Sequence, residues 1–136
     1  ARSALQPLMS TASVVIATYN RALLLDDCLR HLARMRFVPG DEVIVADNGS
    51  TDDTRAVLAA HARTFPVPLL RVHEPRPGKS HAVAAALRVA QGHLVALTDD
   101  DVQVEPGWLE ALRAALASPD VALAGGPVLP RWERRP

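Results

Sequence analysis

Residues 13–21 have the sequence SVVIATYNR, a compact apolar run that ends directly in polar side chains. Its first part, residues 13–17 (SVVIA), is short and rich in β-branched residues, which is typical of a buried β-strand. A second run of the same kind, residues 42–46 (EVIVA), follows a segment in which apolar residues such as Leu25 and Leu29 recur at helical spacing. A strand, a helix and a second strand in this order predict a parallel β-α-β unit, in which the helix crosses over the sheet.

The same alternation continues through the rest of the chain. Apolar residues at helical spacing predict further helices at 54–65, 83–90 and 108–116. Short apolar runs predict further strands at 69–72, 93–97 and 121–124. The complete pattern has five strands that alternate with four helices. It predicts an α/β fold with a mostly parallel, Rossmann-like sheet that is covered by helices on both faces.

The composition excludes several classes of protein. The chain has 136 residues with 15 basic and 15 acidic side chains, so its net charge gives no indication of a nucleic-acid partner or of an anionic membrane surface. Cys28 is the single cysteine, so no internal disulfide forms and an oxidising compartment is not required. No apolar run approaches the roughly 18 residues of a membrane span, and no signal-peptide pattern is present. We expect a cytoplasmic location, and leave open whether the full-length protein associates with a membrane.

The polar segments that follow the predicted strands are the first place to look for a ligand site, because ligands of open α/β sheets bind outside the carboxyl ends of the strands. After the first strand, Thr18 and Tyr19 could contact a base or a ribose, and Arg21 could lie near a phosphate. Asn20 could belong to the same site or could cap the first helix.

Asp99, Asp100 and Asp101 follow the fourth predicted strand. Three adjacent carboxylates repel one another, so a fold that gathers them needs a compensating cation or full solvation. A hard divalent metal, Mg²⁺ or Mn²⁺ shared with substrate phosphates, fits such oxygen ligands. Because side chains alternate along an extended segment, Asp99 and Asp101 are predicted to point the same way and Asp100 elsewhere. The alternative is a solvated acidic loop that caps the next helix.

Two further polar groups follow the second and third strands. Asp47 and Asn48 could accept hydrogen bonds from a nucleobase or a ribose, although Asn48 also begins an Asn-Gly turn. Lys79 lies in a Gly-Lys-Ser sequence, but His73 stands where a phosphate loop requires glycine, so a phosphate loop is rejected. Lys79 could still reach a phosphate as a point charge, and His81 could face the same crevice.

Four blocks of sequence resemble family 2 glycosyltransferases in their order, spacing and placement at strand ends. They are SVVIATYNR at 13–21, VIVADNGSTDDT at 43–54, GKSHAVAAAL at 78–87 and LVALTDDDV at 94–102. The resemblance covers roughly residues 13–130. It implies the GT-A fold, the fold of nucleotide-diphosphosugar transferases.

The resemblance also implies a role for each matching residue. For the nucleoside these are Thr18, Tyr19, Asn20 and Asp47, the last as the hydrogen-bond partner of the base. For the diphosphate and its Mn²⁺ or Mg²⁺ they are Asp99, near the ribose or the metal's hydration shell, and Asp101, a metal ligand. Lys79 and His81 fall in a block that borders the donor in the family. Arg21, Asn48 and Asp100 are also predicted to bind the donor.

The activity implied by the resemblance is metal-dependent, inverting transfer of a sugar from a UDP-, GDP- or dTDP-linked donor to an acceptor hydroxyl. The acceptor is unknown, with a glycan or a lipid among the candidates. In the family, the general base and the acceptor site belong to a later half of the domain. We therefore expect a loose leader at 1–12, a donor-binding domain at 13–130, and at 131–136 the start of a missing acceptor half.

Three expectations follow for the chain itself. It contains no catalytic base and binds a donor with little or no transfer. An exposed sheet edge could pair two copies into a homodimer. Two other classes of function stay open: a non-catalytic nucleotide-binding or partner-binding module of the same fold, and a nucleotidyltransferase. The Gly-rich, basic signature of a nucleotidyltransferase is absent after the first strand, where ATYNR stands.

Overall fold

The computed structural model describes residues 10–133. Within this range the strands are β1 (Ala12–Thr18), β2 (Glu42–Asp47), β3 (Leu69–His73) and β4 (Leu94–Asp99). The helices are α1 (Ala22–Leu32), α2 (Thr54–Ala62), α3 (Lys79–Val89) and α4 (Trp108–Ala115). Strands and helices alternate as the sequence predicts. Residues 1–9 of the predicted leader, and residues 134–136, lie outside the described residues.

The strands form one parallel sheet in the order β3-β2-β1-β4. The chain moves from β1 to β2 and β3 on one side, then crosses to the other side of β1 as β4. This reversal creates a topological switch point between β1 and β4, where open α/β sheets bind ligands. The register pairs Thr18 with Asp47, and Ala17 with Asp99, so the carboxyl ends of the three strands lie at one edge.

Helices cover both faces of the sheet, which confirms the predicted fold class. On one face, apolar side chains of α1, α2 and α4, such as Leu29, Leu58 and Leu109, pack with those of the sheet. On the other face, Ala82 and Ala86 of α3 belong to a second core cluster with residues of β1 and β2. The alanine-rich contact lets the backbone of α3 lie close to the sheet, and this agrees with the low aromatic content of the chain.

The helices are short. α1 and α3, the longest in residues 10–133, have 11 residues each, or about 16 Å of length. No helix in this range is both long and apolar enough to cross a bilayer.

The predicted fifth strand at 121–124 is wrong. Residues 121–133 contain neither a helix nor a strand, and Leu123 is 87% exposed. An isolated apolar run becomes a strand only if a neighbouring strand satisfies its backbone N–H and C=O groups, and no described segment pairs with this one. Gly125, Gly126 and Pro127, which follow directly, also disfavour an extended strand. The described sheet therefore has four strands and ends at β4.

A buried ion pair fixes α4 against the opposite, amino-terminal edge of the sheet. The guanidinium of Arg113 is 2% exposed and donates through Nη2 to Asp41, whose side chain is fully buried. The Nε of Arg113 donates to the carbonyl of Ser10 at 2.9 Å. The carboxylate of Asp41 also accepts from the backbone N–H of Ala12 and of Val38, each at 2.8 Å. The carboxylate of Asp41 thus joins α4, β1 and the segment before β2.

Candidate functional site

The predicted site residues gather at the carboxyl edge of the sheet. Thr18, Asp47 and Asp99 are the last residues of β1, β2 and β4, respectively. Each strand extends one or two residues beyond its predicted end, so these side chains are held by the sheet rather than by flexible loops. The loops that follow the strands carry the remaining predicted residues.

Asp100 occupies the switch point between β1 and β4. It is 4% exposed, and its Oδ2 accepts a hydrogen bond from Oγ1 of the buried Thr18 at 2.9 Å. Its Oδ1 accepts from Nη1 of Arg21 at 3.2 Å, and the same nitrogen lies 3.4 Å from Oδ2 of Asp101. Arg21 therefore links Asp100 and Asp101 to the loop between β1 and α1.

Asp100 differs from its two neighbours as predicted, since it is buried whereas the side chains of Asp99 and Asp101 are 53% and 47% exposed. Residues 100 and 101 form a turn, and Asp99 and Asp101 have different cationic partners. Asp101 shares Arg21 with Asp100, whereas Asp99 pairs with the ammonium of Lys79, the first residue of α3. The acidic turn is thus held from two sides by cations of two different elements.

Cys28 of α1 lies directly behind the acidic turn. Its thiol donates to the backbone carbonyl of Asp99 at 3.5 Å and the residue is 1% exposed. Burial, and then the nearby carboxylates of Asp100 and Asp101, raise the pKa of the thiol to about 12. The thiol is therefore protonated at neutral pH and acts as a core side chain rather than as a nucleophile.

Asp47 is a buried carboxylate that is held by several donors. It is 1% exposed; its Oδ2 accepts from Nε and Nη2 of Arg71 at 3.1 and 2.7 Å, and its Oδ1 accepts from the backbone N–H of Ser50 at 2.9 Å. Burial raises the pKa of Asp47, but hydrogen bonds from Ser50 and Arg71 outweigh it, so the net pKa lies below its ordinary value. Asp47 is therefore ionised.

Arg71 is a site residue that the sequence analysis missed. It lies in β3, where the sequence predicts only an apolar strand, and its side chain is about one third exposed. A charged residue near the carboxyl end of a short apolar strand, beside a strand that ends in Asp47, was the signal that could have identified it.

Asn48 uses its side-chain amide to hold the loop that leads into α3. Its Nδ2 donates to the carbonyls of Glu74 and Arg76 at 2.9 and 2.6 Å. Its Oδ1 accepts from the backbone N–H of Gly78 at 2.9 Å. Gly78 has φ 121°, a conformation that favours glycine, and directly precedes Lys79. The side chain of Asn48 thus helps to place Lys79.

Asn20 joins the loop after β1 to the loop after β2. It has φ 50°, in the left-handed region, and its Oδ1 accepts from the backbone N–H of Thr51 and of Asp52 at 2.7 and 3.3 Å. Its own N–H donates to Oγ of Ser50 at 3.0 Å. In return, Oδ2 of Asp52 accepts from the N–H of Ala22 at 3.0 Å. We call these contacts between residues 20–22 and 50–52 the loop clasp.

The alternative that Asn20 caps the first helix is wrong. The N-cap position of α1 is Arg21, without a side-chain cap, and the first helical N–H is bound by Asp52 from the other loop. Tyr19 and His81 complete the predicted set. Both are exposed, Tyr19 by 57%, in the loop after β1 and in the first turn of α3.

The donor set limits what kind of metal site this edge can form. In residues 10–133, no group of three or more His, Cys, Asp or Glu side chains is arranged to hold a metal ion by itself. Asp99 and Asp101 have side chains that are 53% and 47% exposed. Mg²⁺ bound together with substrate phosphates needs only one or two carboxylates, because phosphate and water supply the other ligands. The carboxylates fit such a shared metal and not a cage made of protein alone.

Comparison with known proteins gives a match over most of the chain. The family model described as glycosyl transferase family 2 matches residues 13–135. The chain is similar to validoxylamine A glucosyltransferase from Streptomyces hygroscopicus subsp. limoneus, at 37% identity over 108 residues, which are 79% of this chain and 24% of that protein.

Solved structures with the same fold carry nucleotide-sugar ligands. A mannosyltransferase from Pyrobaculum calidifontis, in complex with GDP-Man and Mn²⁺, matches with a TM-score of 0.76 at 35% identity, over 81% of this chain and 33% of that one. TarS 1-349 from S. aureus, in complex with UDP-GlcNAc, matches with a TM-score of 0.69 at 28% identity, over 78% of this chain and 31% of that one. The chain spans about a quarter to a third of the length of these three relatives.

Proposed function

The chain belongs to glycosyltransferase family 2, and from this membership we propose that it is the donor-binding half of a transferase. The whole protein would transfer a sugar from a nucleotide-diphosphosugar to an acceptor hydroxyl, with inversion. The observation that carries the proposal is the convergence of Thr18, Asp47 and the Asp99–Asp101 turn at the carboxyl edge of the sheet, across its switch point. The nucleotide-sugar complexes of the two structural relatives support the choice of donor class.

The nucleoside is bound between the ends of β1 and β2 in this proposal. Asp47 accepts hydrogen bonds from the backbone N–H of Ser50 and from Arg71, so in this proposal a base N–H binds beside these donors or in place of one of them. The partly exposed guanidinium of Arg71 adds donors beside it. Tyr19, exposed in the next loop, provides a ring against which a base or ribose can lie.

The diphosphate is bound at the acidic turn. Asp101 is proposed as a ligand of Mn²⁺ or Mg²⁺, and Asp99 as a contact of the ribose or of the metal's hydration shell. When bound, the metal would stabilise the charge that develops on the leaving diphosphate. Arg21 and Lys79 supply positive charge at the same place, and the buried Asp100 holds the guanidinium of Arg21 in position.

Asn20 and Asn48 are proposed as positioning residues rather than as donor contacts. The polar side-chain atoms of Asn48 are all bound to the loop before α3, and the side-chain oxygen of Asn20 is bound to residues 51 and 52. A side chain whose acceptors and donors are already used has less left to offer a ligand. Their contribution to binding is to fix the loops that carry Tyr19 and Lys79.

The general base is proposed to lie outside residues 10–133. A base must accept a proton from the acceptor hydroxyl, so it needs a carboxylate or imidazole with a free lone pair that faces the donor. Asp47, Asp99, Asp100 and Asp101 each have a cationic partner in the structure. We therefore expect the 136-residue chain to bind a donor with little or no transfer.

Self-association is a separate proposal that depends on β4. Within the described sheet, β4 pairs with β1 alone, and its residues Val95 and Leu97 are 44% and 59% exposed. Such an edge can pair with the β4 of a second copy. Light scattering tests this: the apparent mass rises with protein concentration if the edge pairs, and stays that of a monomer if it does not.

Calorimetric titration with UDP, GDP and dTDP, each with and without Mn²⁺, tests the donor site. We expect one of the nucleotides to bind, with an affinity that depends on the metal. Asp101→Asn should weaken metal-dependent binding by about tenfold or more, since a charged contact contributes about 1.5–3 kcal/mol. Asp120→Asn, which removes the same charge from an exposed turn after α4, serves as the control and should leave the affinity unchanged. If the folded protein binds none of the three nucleotides with Mn²⁺ present, the proposal fails.

A further inference from the structure

Each carboxylate of the acidic turn has a cation from another element as its partner. Lys79, the first residue of α3, pairs with Asp99. Arg21, the N-cap residue of α1, pairs with Asp100 and Asp101. Two cations against three carboxylates reduce the local charge from −3 to −1, which removes most of the repulsion that would otherwise oppose folding of this turn.

The positions of these cations are unusual for helices. Lys79 and Arg21 both lie at helix N-termini, where the helix dipole favours negative charge and disfavours positive charge. Neither residue can therefore be explained as stabilising its own helix. The same two N-termini are places where a phosphate is favoured, since backbone N–H groups and the dipole attract anions. The acidic turn and a bound phosphate would thus compete for the same cations.

We propose that Lys79 and Arg21 are exchangeable counter-ions of the acidic turn, an inference that rests on the proposed function. Without a divalent cation they neutralise Asp99 and Asp101. When Mn²⁺ or Mg²⁺ binds to Asp101, with Asp99 at its hydration shell, the ammonium of Lys79 and the guanidinium of Arg21 are released to the diphosphate. The metal and the nucleoside diphosphate then bind cooperatively, because each provides the charge partner that the other displaces.

The exchange requires little free energy at Lys79. The side chains of Lys79 and Asp99 are 66% and 53% exposed, and exposed ion pairs contribute little to stability. Lysine also carries its charge on a flexible four-carbon chain, so its ammonium can turn from the carboxylate to a phosphate without movement of α3. Arg21 is less free, since it also holds the buried Asp100. Lys79 is therefore the residue at which the exchange can be tested cleanly.

Lys79→Met tests the exchange because the expected effects have opposite signs. Without nucleotide, the variant should bind Mn²⁺ about threefold to tenfold more tightly, since a competing positive charge close to the metal is removed. Free Mn²⁺, measured by electron paramagnetic resonance during a titration, reports this affinity even when it is weak. With saturating Mn²⁺, the variant should bind the preferred nucleoside diphosphate about tenfold more weakly, since a phosphate contact is lost.

Arg88→Met, which removes the same charge from the exposed last turn of α3, is the matched control and should change neither affinity. Equal Mn²⁺ binding by the wild type and Lys79→Met, including no binding by either, overturns the exchange. Weaker nucleotide binding without tighter Mn²⁺ binding also overturns it, because Lys79 is then a phosphate contact only. Failure of the wild type to bind UDP, GDP or dTDP with Mn²⁺ is a different result, which overturns the proposed function itself.

Discussion

The side-chain oxygen of Asn48, which directly follows β2, accepts a hydrogen bond from the backbone N–H of Gly78 at 2.9 Å. This bond joins the end of one strand to the residue that precedes α3. Asn48 holds the same loop at two more points, through the carbonyls of Glu74 and Arg76. The position of Lys79, which pairs with Asp99 across the site, therefore depends on a residue whose side chain bonds to the loop before Lys79.

Asn48→Ala removes all three of these bonds. We expect the free energy of unfolding, measured in urea, to fall by about 1–3 kcal/mol, because backbone groups lose their partners. Nucleoside diphosphate binding should weaken as well. Asn48→Asp separates the bond that Asn48 accepts from the two that it donates. Its carboxylate still accepts from the N–H of Gly78, but it can no longer donate to the carbonyls of Glu74 and Arg76. Hydrogen exchange of the Gly78 amide should be faster in Asn48→Ala and close to wild type in Asn48→Asp. Equal exchange in all three proteins would show that Asn48 does not hold this loop.

The loop clasp predicts an order of stability at Asn20. Asn20→Gly removes the side-chain bonds to Thr51 and Asp52 but adopts φ 50° without strain. Asn20→Ala loses the same bonds and also places an alanine in the left-handed region, which costs about 1–2 kcal/mol for a residue with a Cβ atom. We therefore expect the free energy of unfolding to decrease from wild type to Asn20→Gly to Asn20→Ala. If alanine is as stable as glycine, backbone conformation does not matter at this position.

Most of the fold could be predicted because it depends on local pattern. The buried runs in β1 and β2 and the helical spacing of α1 are properties of adjacent residues, and their alternation implies a parallel sheet. The strand at 121–124 could not be judged in this way. Its sequence is as apolar as that of a real strand, but a strand also needs a neighbour, and the presence of a neighbour is not encoded in four residues.

The location of the site could be predicted from the sequence, but the contacts between its side chains could not. The position of Asp47 and Asp99 after strands indicated one edge of the sheet. The pairing of Asp47 with Arg71 depends on which strands are neighbours, and the hold of Asn48 on Gly78 depends on the path of a loop. Neither follows from spacing along the chain. The role of Arg113 was missed for the same reason, since its partner Asp41 lies 72 residues earlier.

The Arg113–Asp41 pair predicts a large and specific loss of stability. Arg113→Met leaves a buried carboxylate without its cation, so we expect the free energy of unfolding to fall by about 3–5 kcal/mol. Arg36→Met is the matched control. Arg36 pairs with Glu110 at 2.8 Å, but both side chains are at least half exposed, so the loss should stay below about 1 kcal/mol. The free energies of unfolding are measured by urea denaturation. Similar decreases in the two variants would mean that the buried carboxylate of Asp41 does not depend on Arg113 as its counter-ion.

We expect the carboxylate of Glu74 to contribute to the free energy of unfolding in a way that depends on pH. Hydrogen bonds from the side chain and the backbone N–H of Arg76 lower the pKa of Glu74 from 4.5 to about 2. The folded state therefore binds this proton less readily than the unfolded state. The stabilising contribution is complete above the ordinary pKa and is lost as the pH falls through the lowered one.

Glu74→Gln removes this titration. The difference in urea midpoint between the wild type and Glu74→Gln should be largest near about pH 6 and should shrink as the pH approaches about 2, because the wild-type carboxyl then becomes protonated. Arg76→Met supplies the control, since without the guanidinium the pKa of Glu74 returns towards its ordinary value. In the Arg76→Met background the pH-dependent part of the difference should therefore be smaller, because the pKa values of Glu74 in the folded and unfolded states lie closer together. A difference that stays constant down to about pH 2 in both backgrounds would show that Glu74 does not stabilise the loop through its charge.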